Sequence, residues 1–305
     1  MKYDIFGDIH GHFYDLLALL NKMDYQKSLK GSYYHQERQA IFVGDYIDRG
    51  QYSKEVVQLV RDMCENGKAI ALMGNHEYNA LCYHTKGISG EYLRPRTNQN
   101  IKQHSATLQS FGTDTILKES LEWFKQLPLY YENDYFRVVH ACWDSEKIEV
   151  FKKKMGGNLF KMEFLESSTV KGTDLFEAVE TLLKGKEIDL PKGVSFLDKD
   201  SHERKRIRVK WWENPEGKNY LDYAVKVEKE YEMLKTPVAY NLDLNVNYCP
   251  KDKPVFFGHY WLDGVIPSIQ KPNVCCVDYS VAQSGKLVAY RFDGEKKLDD
   301  GKFCW

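Results

Sequence analysis

Asp8 and His10 in "GDIHG", Asp45 in "GDYIDRG", Asn75 and His76 in "GNHE", His140 in "VVHAC" and His259 in "FFGHYW" each follow an apolar run. Carboxylates, an amide and imidazoles form a mixed oxygen–nitrogen donor set without thiolate, which suits Mn²⁺, Fe or Zn²⁺. A Gly-Asp after a strand is, taken alone, a turn signal. A single histidine there is, taken alone, a hydrogen-bonded structural residue. Repetition decides between these readings, because four of the chain's nine histidines stand at such exits among glycines. Asp8, His10, Asp45, Asn75, His76, His140 and His259 are the candidate ligands, and two carboxylates, an amide and three of the imidazoles would serve two divalent ions. Two such ions about 4 Å apart repel and need an anionic bridge. Asp45 is the expected bridge, and a water between the ions is the expected nucleophile.

Ligands scattered over 250 residues require elements whose ends converge. "KYDIF" (2–6), "QAIFV" (39–43) and "AIALM" (69–73) are expected strands, each followed by a glycine-containing loop and then a helix. Helices are predicted over 13–23, with Leu16, Leu17, Leu19 and Leu20 toward a core, and from Ser53, an expected N-cap, to "ENG". Further strands are expected at 135–139, 254–257, 274–278 and 286–292. Strand–loop–helix repeats of this kind predict an α/β fold with a parallel sheet flanked by helices. Sites in such folds form beyond the carboxyl ends of the strands. Residues 145–250 differ in texture. They hold an amphipathic "DLFEAVETLLKG", a basic "HERKRIRVKWW" and a tyrosine-rich "NYLDYAVKVEKEYEML". That stretch is expected to be an insertion or cap within a single domain of residues 1–305.

Composition bounds the function. A chain of 305 residues with 43% hydrophobic and 29% charged residues is globular in type. A net charge of −1 builds no large basic field, so a general polyanion binder is not expected, and no apolar run approaches membrane-spanning length, so no membrane partner is expected. The basic run is read as a solvated face or a salt-bridged strand. The start "MKYDIFGDIHG" enters structure at once, so no signal peptide is expected. Seven cysteines without a C-x-x-C pair read as buried thiols of a reducing compartment, which makes the cytoplasm the expected location.

The ordered set "GDIHG", "GDYIDRG" and "GNHE", with single histidines on later strands, resembles the calcineurin-like metallophosphoesterases. The resemblance is nearest to the branch of phosphoprotein phosphatases and symmetrical diadenosine tetraphosphatases of bacterial type. It covers residues 3–140 and 254–292, and "VDYSVAQSGKLVAYRF" resembles the closing strands of bacterial members. The resemblance implies a β-sandwich flanked by helices and a hydrolase with two divalent ions, Mn²⁺ first and Fe or Zn²⁺ next. By the same resemblance Asp8, His10 and Asp45 hold one ion and Asp45, Asn75 and His140 the other, with His259 serving either. It further implies that His76 protonates the leaving oxygen, that Asp48 orients and charge-stabilises His76, and that Arg49 binds phosphate oxygens. A phosphorylated substrate, protein or small molecule, is the implied partner. The function expected is hydrolysis of phosphomonoesters of the Ser/Thr/Tyr phosphoprotein type. Dinucleoside polyphosphate hydrolysis is the alternative, with a phosphodiesterase or a non-catalytic metal-containing binding module behind it. His140 is followed by Ala-Cys where eukaryotic phosphoprotein phosphatases carry two glycines. The family's second substrate arginine has no evident counterpart. Arg94 and Arg96 in "YLRPRTNQN" are candidates for it, weighed against a solvated loop.

Overall fold

A computed structural model of the chain describes residues 2–29, 31–112, 114–197, 203–225, 227, 231–238 and 248–305. Two sheets face each other. In the first, strand Lys2–Phe6 lies parallel to Arg38–Phe42, which lies parallel to Ala69–Ala71. On its other side Lys2–Phe6 pairs antiparallel with Ala289–Phe292, and that strand pairs with Phe303–Cys304. In the second sheet Val255–Phe257 runs parallel to both Val274–Cys276 and Arg137–Val139, and Tyr130–Glu132 closes the edge antiparallel. Ile5, Ile41, Val43 and Leu72 from one sheet meet Val138, Phe256, Cys275 and Val277 from the other in a buried layer. The expected β-sandwich is therefore present, with its strands split between two sheets.

Helices cover the outer faces. Helix α1 (Phe13–Lys22) buries Leu16, Leu19 and Leu20, and α2 (Ser53–Glu65) buries Val56, Val57, Val60 and Met63. Both sets follow the helical period that places an apolar stripe on a sheet. Ser53 is the first helical residue of α2 and not its cap, since Tyr52 holds the cap position and no side chain caps it. Helix α3 (Asn75–His84) starts inside the "GNHE" segment itself. Helices α4 (Asn98–Phe111) and α5 (Asp114–Phe124) follow, with Thr97 capping α4 by accepting from the Asn100 amide at 3.2 Å.

Within 145–250 two kinds of structure occur. Helices α6 (Ser145–Met155) and α7 (Asp174–Lys184) bury Ile148, Phe151, Leu175, Val179 and Leu182 in the main core. Strands Glu187–Asp189 and Arg206–Arg208 pair with each other and share a small core of Ile188, Ile207, Val209, Tyr220, Tyr223 and Leu234. Trp211 fastens that part to the sandwich. Its indole N–H donates to the Ala141 carbonyl at 3.1 Å, and its ring lies 5.0 Å from Phe257. The basic run is partly a salt-bridged strand, as its sequence suggested, with Arg206 on Asp189 at 3.3 Å and Arg208 on Glu187 at 3.2 Å. His202, in the same run, lies outside the described residues. Among the described residues no helix is long and apolar enough to cross a membrane.

Candidate metal centre and active site

The carboxyl ends of Lys2–Phe6, Arg38–Phe42, Ala69–Ala71, Arg137–Val139 and Val255–Phe257 deliver Asp8 and His10, Asp45, Asn75 and His76, His140 and His259 to one place. Asp8, His10, Asp45, Asn75 and His140 are all buried. The turns that carry them hold six non-glycine residues in the left-handed region: His10, Asp45, Asp48, Arg49, His259 and Trp261. Each such residue costs roughly 1–2 kcal/mol, and clustering of that strain at one spot marks a functional constellation. Glycines admit the close approaches. A Cβ on Gly258 would stand 2.0 Å from Asp8 Oδ1, and one on Gly74 would stand 2.2 Å from Asp45 Oδ1.

Asp45 is the hub. Its Oδ2 lies 3.6 Å from His10 Nε2, 3.5 Å from His140 Nε2 and 4.0 Å from His76 Nε2. Ligand atoms of His10, Asp45 and His76 form one tight group, and those of Asp45, His140 and His259 form a second. Tautomers can be assigned from the partners. The Nδ1–H of His10 donates to the Ile47 carbonyl at 3.0 Å, and that of His140 to the Val43 carbonyl at 2.9 Å. Each Nε2 therefore presents a lone pair to the carboxylate. Lone pair against carboxylate at about 3.5 Å is no hydrogen bond. It is close to the spacing that two metal–ligand bonds of about 2.1 Å produce at a tetrahedral angle. Asn75 Oδ1 meets His259 Nδ1 at 2.7 Å and His140 Nε2 at 3.1 Å. Asp8 Oδ1, His10 Nε2 and His259 Nε2 are buried without a hydrogen-bond partner. Orphaned donors of this kind, all electron-rich, fit divalent cations.

Electrostatics agree. Burial and the neighbouring Asp278 and Asp45 carboxylates push the Asp8 carboxyl well above its ordinary value. Burial brings His10 down to about 3 despite Asp45 beside it. The Asp45 carboxyl is held well below its ordinary value, because the surrounding His140, His76 and His10 outweigh the cost of its burial. An anionic, lone-pair-rich cavity like this one favours bound cations.

His76 stands apart from the other imidazoles. Its Nδ1 lies 2.6 Å from Asp48 Oδ2, and its side chain is 12% exposed where His10 is 2% exposed, so its Nε2 side faces the cleft. Burial disfavours the His76 imidazolium, but Asp45 and Asp48 outweigh that and raise its affinity for protons. Arg49 lies with its guanidinium 4.3 Å from the centre of the Trp261 ring. The cleft around this group encloses about 920 Å³ and, among the described residues, is lined by six cationic side chains: Arg49, Arg94, Lys171, Lys184, Arg204 and Arg208. Arg96 does not join them. It stacks on Tyr92 at 3.7 Å and Tyr83 at 4.8 Å.

Residues 1–259 match the family model described as calcineurin-like phosphoesterase. The chain belongs to that family. An asymmetrical bis(5'-nucleosyl)-tetraphosphatase of Halalkalibacterium halodurans is 30% identical over 161 residues, which are 51% of this chain and 63% of the relative. The chain thus spans less than two thirds of that relative's length. A symmetrical bis(5'-nucleosyl)-tetraphosphatase of Buchnera aphidicola subsp. Baizongia pistaciae is 23% identical over 302 residues, 95% of this chain and 94% of the relative. Two solved structures share the fold. A protein serine/threonine phosphatase from Saccharomyces cerevisiae has TM-score 0.51 at 16% identity, covering 99% of this chain and 78% of that one. A cold-active protein-tyrosine phosphatase of a psychrophilic Shewanella has TM-score 0.51 at 19% identity, covering 95% and 75%.

This calcineurin-like phosphoesterase carries site residues whose local sequence gives no sign of them. Asp278, buried beside Asp8, accepts from the amides of Trp261 at 2.7 Å and Ser280 at 3.0 Å and so fixes the loop after His259. His104 and Thr107 reach Asp48 from α4. Arg208, seen in the sequence only as part of a basic run, lines the cleft close enough to disfavour protonation of His259. Glu77, the last residue of "GNHE", is fully buried and accepts from the amides of Asp45 at 2.9 Å, Tyr46 at 2.8 Å and Gly74 at 3.0 Å. It clamps two ligand loops together. Burial first, and the charge of Asp45 second, push its carboxyl up to about 7. Glu77→Ala leaves three buried amides without their acceptor, at about 1–3 kcal/mol each. Tm is expected to drop by at least about 6 °C. An unchanged Tm would remove Glu77 from this role.

Proposed function

We propose that the chain hydrolyses phosphomonoesters with two divalent ions. The observation that carries this reading is the sharing of Asp45 between two ligand groups, with the His76–Asp48 pair beside them at 2.6 Å. Asp8, His10 and Asp45 would hold one ion, and Asp45, Asn75, His140 and His259 the other. The proximity of His259 to Asn75 and His140 supports putting it with the second. Mn²⁺ is the proposed metal, with Fe or Zn²⁺ next, since oxygen donors and imidazoles without thiolate suit them. Bound there, the ions supply Lewis acidity toward phosphate and make water a nucleophile near neutral pH.

The chain's own residues do the rest. Arg49, steadied over Trp261, and Arg208 offer guanidinium forks to the non-bridging phosphate oxygens. The proton on His76 Nε2 goes to the leaving oxygen. Asp48, accepting from Nδ1, holds that ring in place and offsets the imidazolium charge. The proposed compartment is the cytoplasm, and the proposed partner is a phosphorylated protein or small molecule. Residues 1–305 are proposed as one domain. Within 145–250, the part from residue 187 onward is proposed as a cap over the cleft, on the strength of its separate core and the lining residues Phe196, Arg204 and Arg208.

A second reading is hydrolysis of dinucleoside polyphosphates. It is favoured by the six cations of the cleft, more than one phosphate needs, and by the near full-length match to a symmetrical tetraphosphatase. Phe196 and Trp261, which line the same cleft and are not fully buried, offer rings for a base to stack on. A dianionic monoester is better matched to two ions and two guanidiniums than a singly charged diester. Mn²⁺-stimulated turnover of p-nitrophenyl phosphate and phosphopeptides is therefore expected, with at least about 10-fold lower kcat/KM on bis-p-nitrophenyl phosphate. Faster cleavage of the diester would replace the phosphatase reading with a phosphodiesterase. Diadenosine tetraphosphate far ahead of both would establish the second reading.

A further inference from the structure

Behind the His76–Asp48 pair lies a chain of hydrogen bonds that the proposed reaction has not used. His104 is buried on α4, and its Nδ1 lies 2.9 Å from Asp48 Oδ1. A carboxylate oxygen only accepts, so His104 donates there. Thr107, one helical turn further along the same face, donates its hydroxyl to the same oxygen at 2.5 Å and accepts from the Asp48 amide at 2.8 Å. Oδ1 is thus engaged by α4 while Oδ2 faces His76 at 2.6 Å. His104 Nε2 in turn faces His84 Nε2 at 3.1 Å, at the far end of the helix that His76 begins. With the Nδ1 proton of His104 committed to Asp48, its neutral ring can only accept from His84. That contact selects the His104 tautomer that donates to the carboxylate.

The geometry points to His104 as a positioning residue for leaving-group protonation. With Thr107 it locks the rotation of the Asp48 carboxylate, and His84 fixes its tautomer. Asp48 sits at positive φ, next to Arg49 in the same conformation, so its own backbone is strained and the grip from α4 supplies the restraint. Without it the carboxylate turns toward the cleft's cations and the His76 ring loses its orientation. Misplacing a reacting group by about 1 Å costs on the order of 100-fold in rate. This inference rests on the proposed acid role of His76.

The test compares His104→Leu, which fills the space but donates nothing, with His104→Asn, whose amide can reproduce the Nδ1 donor. In His104→Leu, kcat on an alkyl or phenyl phosphate is expected to fall by roughly 30–100-fold with KM unchanged. On p-nitrophenyl phosphate, whose leaving group needs little protonation, the loss is expected to stay below about 5-fold. His104→Asn should recover most of the difference, and His84→Phe should show a smaller loss with the same leaving-group dependence. A far-downfield imidazole N–H resonance from the short His76–Asp48 bond is expected in the wild-type protein and in His104→Asn, and is expected to vanish in His104→Leu. Should His104→Leu fail to fold, Thr107→Val carries the same expectations. Equal losses on both leaving groups, or an unaltered resonance in His104→Leu, would overturn the inference. His76→Asn is the control that separates the two failures. If its loss depends on the leaving group and that of His104→Leu does not, only the positioning role falls; if its loss is uniform, the acid reading falls with it.

Discussion

Asp45→Asn is expected to lose both metal ions together and, with them, turnover by on the order of 1000-fold or more. The reason is the shared position of one oxygen. Asp45 Oδ2 lies 3.6 Å from His10 and 3.5 Å from His140, so a single carboxylate faces both ligand groups. An amide can offer one neutral oxygen but no bridging charge, and two divalent cations about 4 Å apart without an anion between them repel by on the order of 15 kcal/mol even at an effective dielectric of about 20. Metal analysis of the dialysed variant should find well under one equivalent, where the wild-type chain retains two. Two equivalents in an active Asp45→Asn would show that the bridge is elsewhere, with Asp8 the next carboxylate to test.

His76→Asn should behave in the opposite manner. The imidazole is aligned by Asp48 at 2.6 Å and is more exposed to the cleft than His10. Asparagine retains a donor toward Asp48 but has no proton acidic enough to transfer. Both metal equivalents should therefore remain. The kcat on alkyl phosphates should fall by roughly 100-fold or more, and the fall should shrink on p-nitrophenyl phosphate. Loss of metal from His76→Asn would instead make His76 a ligand, which the tight grouping of His10, Asp45 and His76 also permits geometrically.

Both variants change residues that the sequence alone singles out. Asp8, His10, Asp45, Asn75, His76, His140 and His259 were legible because each sits within five residues of an apolar strand end, all but His140 in a glycine-containing turn. Strand ends on one side of an α/β fold meet in space, so local pattern plus topology was enough to bring these seven together. The same local logic gave α1, α2 and α7 to within one or two residues. It failed for His104 and Thr107, which sit mid-helix on α4 with only helical periodicity around them. Their relation to Asp48 exists because α4 packs across α2, a contact between segments more than 40 residues apart. Asp278 was hidden for a different reason. "VCCVDYS" reads as a strand with a terminal aspartate, and only the folded chain brings Asp8 and the Trp261 amide to that carboxylate. Arg208 was masked by its neighbours in a basic run that reads as a salt-bridged strand, and its bridge to Glu187 fits that reading as well. The resemblance implied two sheets, but which strand joins which sheet was not readable from pattern, because buried strands of both sheets are short apolar runs of the same type.

The central claim is that two divalent ions share Asp45, and anomalous diffraction from crystals of the chain grown with Mn²⁺ tests it most directly. Two peaks are expected about 3.5–4 Å apart, one bounded by Asp8 and His10, the other by Asn75, His140 and His259, with the Asp45 carboxylate between them. A single peak, or two peaks that do not share Asp45, would contradict the account.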